Sequence, residues 1–400
     1  MIGDGWTDSK EQRARDARPD PGGPRRIAVV TGTRAEFGLL TPVMHAIQDR
    51  PDCELLVIAA GSHLVQPALT FREVKKVFDV ADSIPMQTVG KVGRLHDVEA
   101  LGKGIGRFGR SFDRIRPDWV VVLGDRIEAF AAASAASVGG FALAHIHGGD
   151  RAEGVADEAM RHAITKLAHL HLAATETSAD RIRRMGEKPE SVVVIGSPAV
   201  DGLDAIAPMD DAAYAALGSP RAVVLFHPIG RTDELEEHAA HAVLEAAAAA
   251  AGPDRTLALH PNLDPGRKGI MRALMDAPTG VRVESHLERA RFVALLKRVA
   301  AEGGAMVGNS SAGLIEAAAI GCPSVDVGDR QNGRERCDAL TAHASESVPD
   351  IRAAFGRITA ARPESWQHPF GDGHAGVRAA RALADRDPHA AGLLRKHCAY

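Results

Sequence analysis

Cysteine is scarce in this chain: four in 400 residues, Cys53, Cys322, Cys337 and Cys398, with neither metal-site nor disulfide-framework spacing. A disulfide-stapled or zinc-knit fold is thereby excluded, and the expected compartment is the reducing cytoplasm. Charge of one sign is not in excess either. Lys and Arg number 48 against 52 Asp and Glu, a net charge of −4, which leaves no basic surface for nucleic acid and no acidic scaffold tail. No apolar run approaches the roughly 20 residues of a membrane span; the longest, around Ala246–Ala251, is alanine-rich. Residues 1–25 carry both signs of charge and no hydrophobic segment, so they read as a disordered tail and not as a signal peptide. What remains is an ordinary globular composition, 45% hydrophobic and 25% charged. Its length exceeds what one core sustains, so two domains are expected.

From Arg26 onward, short apolar runs alternate with longer helical patterns. Runs at Ile27–Thr31, Leu55–Ala59, Trp119–Leu123, Ala142–Ile146 and Val192–Ile195 read as buried parallel strands. A second series follows at Ala222–Phe226, Thr256–Leu259, Ala305–Val307 and Ser324–Val327. Helical patterns fall between them, among them Asp157–Leu170, Glu234–Ala251 and Ala312–Ile320. Two such series predict an α/β protein with two doubly wound parallel sheets. The boundary is placed in the loop-like stretch Ser197–Asp211, giving domains over residues 26–200 and 201–368. In such folds ligands bind outside the carboxyl ends of the strands.

The polar residues cluster at those ends. Thr31-Gly32-Thr33-Arg34-Ala35-Glu36-Phe37-Gly38 follows the first strand. Its glycines allow close backbone approach, and the helix beginning there would offer free N–H groups to an anion. Arg34 is a candidate phosphate contact or a surface arginine. Gly124-Asp125-Arg126 ends another strand, and Asp125 is either a general acid/base or a helix N-cap. His145-Ile146-His147-Gly148-Gly149-Asp150 precedes Glu153, Asp157, Glu158, Arg161 and His162. Alternation puts His145 and His147 on one side of a strand, which suggests a metal with Asp150 or His162 as third ligand. That set is less defined than a closed metal site requires, and no metal is assigned. Asp157 caps the helix it begins, and Arg161 is placed to meet a phosphate or hold a carboxylate. His169 and His171 read as structural.

In the second series His227 and His260 occupy equivalent strand ends, the latter followed by Pro261-Asn262-Leu263-Asp264. Gly308-Asn309-Ser310-Ser311-Ala312-Gly313 runs from a strand into a helix, a geometry that cradles a diphosphate on N–H groups and hydroxyls. Glu316, about one turn in, is placed to accept both ribose hydroxyls. The loop Gly328–Arg334 carries Arg330 and Arg334, which either close over phosphates or form a solvated turn.

Together these segments resemble the UDP-N-acetylglucosamine 2-epimerase family, in particular its hydrolysing branch, which forms N-acetylmannosamine. The resemblance rests on TGTRAEFGLL at Thr31–Leu40, Gly124–Arg126, His145–Asp150, RHAITKLAHLH at Arg161–His171, Gly196-Ser197-Pro198, Phe226–Pro228, Pro261–Asp264, GNSSAGLIE at Gly308–Glu316, Gly328–Glu335 and Pro369–Gly373. It implies a GT-B-like arrangement: two Rossmann-like domains, a deep cleft and a C-terminal helix over 369–400 crossing back to the first domain. It further implies a UDP-sugar substrate, a homodimer, no cofactor, and no nucleic-acid or membrane partner. By the same resemblance Asp125 and Asp157 are acid/base groups, Arg34 meets the phosphates, and His227 is a cleft histidine. Ser310, Ser311 and Glu316 hold UDP, and Arg330 and Arg334 close over it; Asn309 and Gly313 of the same segment are further substrate-binding candidates. Some members carry a catalytic Glu where this chain has His147, so His147, Asp150 or Glu153 takes its place. Gly61–Val74 matches the family weakly, which leaves the sugar open between N-acetylglucosamine and a 2,4-diacetamido trideoxyhexose. The implied reaction is anti elimination of UDP followed by hydration of the glycal. A non-hydrolysing epimerase and a GT-B glycosyltransferase are the alternatives.

Overall fold

A computed structural model describes residues 23–66, 68–91, 93–151, 158–262, 264–360 and 363–398. The first parallel sheet is built from β1 (Arg25–Thr31), β2 (Cys53–Ala60), β3 (Val80–Ile84), β4 (Trp119–Leu123), β5 (Ala142–Ile146), β6 (Leu170–Ala173) and β7 (Val192–Val194). Their order is β3-β2-β1-β4-β5-β6-β7. The second sheet holds β8 (Ala222–Leu225), β9 (Thr256–Leu259), β10 (Arg282–Glu284), β11 (Ala305–Gly308), β12 (Ser324–Val327) and β13 (Thr341–Ala344), in the order β10-β9-β8-β11-β12-β13. Every pairing is parallel. Both orders reverse direction once, between β1 and β4 and between β8 and β11, and these switch points are where an open α/β sheet leaves a crevice.

Apolar burial explains why the central strands form. All of β4, Trp-Val-Val-Val-Leu, is buried, and each such side chain contributes about 1.5–3 kcal/mol. Helices cover both faces of the first sheet. One side is packed by Leu40, Val43, Met44 and Ile47, the other by Phe108, Phe112 and the alanines of helix Ile127–Val138. Helix Ala375–Asp385 returns to the first of these layers, with Ala375, Ala379, Ala380 and Leu383 in its core. Gly376 lies so close to helix Arg34–Gln48 that a Cβ would stand 2.6 Å from the Pro42 carbonyl oxygen. Both Asp201 carboxylate oxygens accept from the first turn of that returning helix, at Ala375 N (2.9 Å) and Gly376 N (2.6 Å).

The four strands missing from the sequence reading are β3, β6, β10 and β13. β6 (Leu-His-Leu-Ala) and β13 (Thr-Ala-His-Ala) alternate, β3 (Val-Ala-Asp-Ser-Ile) is interrupted by a polar pair, and β10 (Arg-Val-Glu) is exposed throughout. The helix expected over Asp157–Leu170 is seen as Glu158–Leu167, ending early because Leu170 opens β6. The helix expected over Ala312–Ile320 is broken into a 3-10 turn (Ser311–Gly313) and one α-turn (Glu316–Ala319). Of the expected N-terminal tail, residues 1–22 lie outside the described residues, and Arg25 already belongs to β1. Among the described residues no helix is long and apolar enough to cross a membrane.

Candidate active site

At the first switch point the loop after β1 is drawn inward. Thr33 caps helix Arg34–Gln48 by accepting from Glu36 N (3.3 Å), and Glu36 Oε2 in turn accepts from Gly32 N (2.9 Å) and Thr33 N (3.0 Å). Glu36 thereby takes the Gly32 and Thr33 N–H groups and Thr33 takes that of Glu36, a capping box closing on itself. Burial, and then the charge of Glu128, pushes the Glu36 carboxyl up to about 8. Arg34 is exposed and pairs with Glu73 at 3.3 Å. It still faces the second half, because after burial it is the largest influence holding His286 below the ordinary imidazole range.

Asp125, directly after β4, pairs with the buried Arg161 guanidinium. Arg161 Nη1 also donates to the His147 carbonyl (3.3 Å), and its Nε is buried with no hydrogen-bond partner. His145 is core: Nε2 lies 2.8 Å from the Gly124 carbonyl oxygen and Nδ1 lies 3.2 Å from Thr165 Oγ1. Burial drives its conjugate acid down to about 3, so the ring is neutral. The shared face expected for His145 and His147 is absent. β5 ends at Ile146, and His147 adopts φ +63°, which turns its side chain out of the strand's alternation. His147 Nδ1 meets Asp150 Oδ2 at 2.7 Å, and Nε2 meets Ser197 Oγ at 3.1 Å. With both nitrogens of each ring engaged, the two histidines do not form the metal pair that alternation suggests. His162 faces Glu158 instead (3.5 Å). Asp150 Oδ1 accepts from Ser178 Oγ at 2.8 Å. Burial alone would raise the Asp150 carboxyl; the charge and hydrogen bond of His147, with Arg334 and Arg161, overcome it and hold the group below the carboxylate range. Glu153 and Asp157 lie outside the described residues.

The second edge is built differently. Gly308 ends β11 at φ +142°, where a Cβ would stand 2.1 Å from the Leu225 carbonyl oxygen, so only glycine lets β11 close on β8 there. Asn309 is spent on the same junction: Oδ1 accepts from His227 N (2.7 Å) and Nδ2 donates to His227 O (2.8 Å). Expected to touch substrate, its side chain instead stitches two strand ends together. His227 Nδ1 accepts from Asn262 N at 3.1 Å. Burial, then Arg330, pushes this histidine down to about 3. It is therefore neutral, with the proton on Nε2. Ser310 Oγ accepts from Ala312 N (3.4 Å). The broken helix means that any anion here meets loop N–H groups and hydroxyls of Ser310 and Ser311 near Gly313, and not a helix macrodipole. Desolvation pushes the Glu316 carboxyl up. His260, lowered by burial and by Arg267, uses its backbone N–H on Glu284 O (3.1 Å).

Between the edges stands a set of guanidinium groups. Arg126 crosses to Asp264 (2.9 Å). Burial lowers Arg330 to about 10 and depresses Arg334, and each is also disfavoured by a neighbouring guanidinium. Arg330 Nε is buried and unpartnered. Like charges so crowded fit a site built for an anion. The loop bearing them reaches the first half through several bonds: Arg334 Nε to Arg151 O (3.3 Å), Arg181 Nη2 to Gly333 O (3.0 Å), and Thr175 Oγ1 to Glu335 Oε1 (2.7 Å). Asp125, His147, Asp150 and Arg161 are thus brought together on one side. Opposite them stand His227, Asn262, Ser310, Arg330 and Arg334.

Sequence reasoning missed Ser178, Thr175, Arg181, Gln331 and the role of Ser197. Gln331 Nε2 donates to Asn309 O at 2.8 Å. Ser197 sits in the quoted Gly196-Ser197-Pro198, and that motif was the one signal available for it. Gln331 likewise sits in the quoted Gly328–Glu335, whereas Thr175, Ser178 and Arg181 lie in a stretch that read as ordinary helix or loop.

Comparison with known proteins agrees with this arrangement. Residues 45–384 match the family described as UDP-N-acetylglucosamine 2-epimerase. The chain is 33% identical over 398 residues to a protein of Legionella pneumophila named UDP-N,N'-diacetylbacillosamine 2-epimerase (hydrolyzing), covering 94% of this chain and 100% of that one. It is also 33% identical over 321 residues to the UDP-N-acetylglucosamine 2-epimerase of Neisseria meningitidis, covering 78% and 81% respectively. In fold it is similar to the crystal structure of Methanocaldococcus jannaschii UDP-GlcNAc 2-epimerase in complex with UDP-GlcNAc and UDP. That likeness has a TM-score of 0.74 at 17% identity and covers 90% of this chain and 99% of that one. With its two parallel-sheet α/β halves in a GT-B-like arrangement, the chain belongs to the UDP-N-acetylglucosamine 2-epimerase family.

Proposed function

We propose that this protein is a hydrolysing 2-epimerase that converts a UDP-2-acetamido sugar and water into UDP and the free C2-inverted sugar. The observation that carries the reading is the pairing of two unlike edges in a chain of this family. Acid/base groups (Asp125, His147, Asp150) face neutral donors and desolvated guanidiniums (His227, Ser310, Arg330, Arg334). Residues 26–200 would carry the acid/base groups and 201–368 the nucleotide, with 369–400 crossing back.

The C2 proton is not acidic, so C1–O cleavage runs ahead and charge develops on the departing diphosphate. Arg330, Arg334 and the loop donors after β11 stabilise that charge, the largest catalytic contribution expected in such a site. His227, neutral with a proton on Nε2, adds a donor without adding charge. Asp125 or Asp157 takes the C2 proton and a glycal forms. Water then adds its oxygen at C1, and a proton reaches the opposite face of C2, which inverts that centre. Two faces require two carriers, and His147, oriented by Asp150, is our second. Arg34, Glu153, His260, Asn262, Ser311 and Glu316 complete the substrate contacts in this reading.

A second reading of the substrate is favoured by the Legionella relative, whose name specifies a diacetylbacillosamine. One experiment tests both: UDP-N-acetylglucosamine and the 2,4-diacetamido-2,4,6-trideoxy UDP-sugar are each incubated with the protein in deuterated water and followed by proton NMR. Release of UDP with the inverted sugar deuterated at C2 is the expected result for the true substrate. Intact, unexchanged sugar from both would overturn the proposal.

A further inference from the structure

A line of hydrogen bonds joins the nucleotide-side loop to His147. Glu335, at the end of that loop, receives the Thr175 hydroxyl at 2.7 Å. Thr175 is the N-cap of helix Glu176–Arg184, and its Oγ1 also accepts from Ser178 N (3.0 Å) and lies 3.1 Å from Ser178 Oγ. Ser178 Oγ donates to Asp150 Oδ1 (2.8 Å), and Asp150 Oδ2 meets His147 Nδ1 (2.7 Å). Ser178 is fully buried, and Thr175, Asp150 and His147 are buried with it. The turn holding His147 is pressed against this helix. Gly149, at φ +73°, lies where a Cβ would stand 2.2 Å from the Ser178 carbonyl oxygen. Arg181 ties the same three parts together, donating to Gly149 O (3.3 Å) and Gly333 O (3.0 Å) and lying 3.6 Å from Glu335.

We propose that Thr175, Ser178 and Glu335 are positioning residues that make the setting of His147 depend on whether the loop carrying Arg330 and Arg334 is seated. The argument is proton counting. Thr175 has one hydroxyl hydrogen and two acceptors within reach, Glu335 Oε1 and Ser178 Oγ. With the loop seated, the carboxylate takes it, because charge-assisted bonds are the stronger. Ser178 then donates to Asp150 without being polarised from behind. With the loop away, Thr175 turns its hydrogen to Ser178, and the two-hydroxyl chain strengthens the bond to Asp150 by cooperative polarisation. Asp150 charge is then better satisfied by Ser178 and draws less on the His147 Nδ1 proton. Seating of the loop over a diphosphate thereby sets His147 at the moment a substrate is in place.

The inference rests on His147 being a proton carrier, so the test includes a variant that examines that reading alone. His147→Gln, Ser178→Ala, Glu335→Gln and the Ser178→Ala/Glu335→Gln pair are compared for kcat with the sugar nucleotide and for UDP affinity by calorimetry. Ser178→Ala leaves the Thr175 cap intact, since that cap bond comes from the backbone N–H of residue 178. We expect kcat to fall about tenfold or more in Ser178→Ala, where Asp150 Oδ1 loses the donor that fixes its orientation on His147, and severalfold in Glu335→Gln, where Thr175 polarises Ser178 as with the loop away, fractions of a full acid/base contribution. UDP affinity should stay within about twofold in Ser178→Ala, and the double variant should be no slower than Ser178→Ala, because the two act in one chain. Unchanged kcat in Ser178→Ala, a parallel loss of UDP affinity in that variant, or simply additive effects would each overturn the relay. If His147→Gln itself turns over normally, the assignment of His147 fails and the relay fails with it. If only His147→Gln is slow, the assignment stands and the relay alone is lost.

Discussion

At the carboxyl edge of the first sheet the polar side chains set carboxylates against basic groups, Asp125 with Arg161 and Asp150 with His147. At the second, neutral pairs join the strand ends, Asn309 on the His227 backbone and Asn262 N on the His227 ring, beside the guanidiniums of Arg330 and Arg334. Both edges stand at the same topological switch of the same strand order, so the backbone geometry does not account for the difference. Side-chain chemistry does. An edge that must take and return protons needs groups whose charge can change, held near partners that accept either state. An edge that must hold an anion through a reaction needs donors whose charge stays fixed. His147 and His227 illustrate the division within one residue type. The first sits against a carboxylate, whereas the second has lost its proton to burial and serves as a fixed N–H donor.

The comparison breaks most visibly if charge is removed from the first edge. Asp125→Asn should abolish turnover, a fall of about a thousandfold, while UDP affinity stays within about threefold. Asp157→Asn should behave in the same way. Calorimetry with UDP beside a turnover assay checks both. Loss of UDP binding with an intact fold would move these residues to the nucleotide side. The converse change comes next in size. Arg330→Gln removes a desolvated guanidinium from the anion site and should weaken UDP binding about tenfold or more, since charge-assisted hydrogen bonds contribute about 1.5–3 kcal/mol. An unchanged UDP affinity would mean that the crowding of Arg330 and Arg334 has a purely structural cause.

A smaller effect is expected from Asn309→Ala. Its amide satisfies both backbone groups of His227, so the loss should destabilise the fold by about 1–3 kcal/mol. UDP affinity should fall only severalfold, as an indirect result of a displaced His227. Thermal melts with and without UDP separate the two. A large drop in affinity at unchanged stability would return Asn309 to the substrate-contact role that its motif suggested.

That Asn309 fits its motif but not its expected task shows where the sequence was legible. Buried strands such as β4 announce themselves through unbroken apolar runs, and the glycine-rich segments after them marked both edges correctly. What periodicity could not carry was pairing at a distance. Nothing in Glu-Thr-Ser-Ala-Asp at residues 176–180 distinguishes Ser178 from an ordinary helix serine; it matters because Asp150 lies against it after the chain has passed through β6. Nor does strand alternation survive the end of a strand. His147 has the right parity to join His145, yet its positive φ cancels the parity. The GNSSAG segment read as the start of a helix, but its 3-10 turn and single α-turn replace the macrodipole with individual N–H groups. The edge strands β3, β10 and β13 were illegible for a related reason, since none of them presents an unbroken apolar run.

The finest test of the comparison concerns Glu36, a carboxyl at the first edge for which no ion pair is found among the described residues. Glu36 is buried, its Oε1 has no hydrogen-bond partner, and its pKa is raised from 4.5 to about 8. Because the folded value lies above the unfolded one, its contribution to stability is complete below pH 4.5. Between pH 4.5 and about 8 the unfolded chain releases the proton while the folded chain keeps it, so stability falls by up to about 1.4 kcal/mol per pH unit. Above that range both states are ionised and the penalty is constant. Glu36→Gln keeps an oxygen for Gly32 N and Thr33 N but cannot ionise. It should melt close to the parent protein at pH 5 and progressively higher than it toward pH 8.5, in urea or thermal unfolding. A difference that stays flat with pH would show that Glu36 is ionised in the folded protein. The first edge would then hold a further anion beside Asp125, and the contrast with the second edge would be sharper than the present geometry makes it.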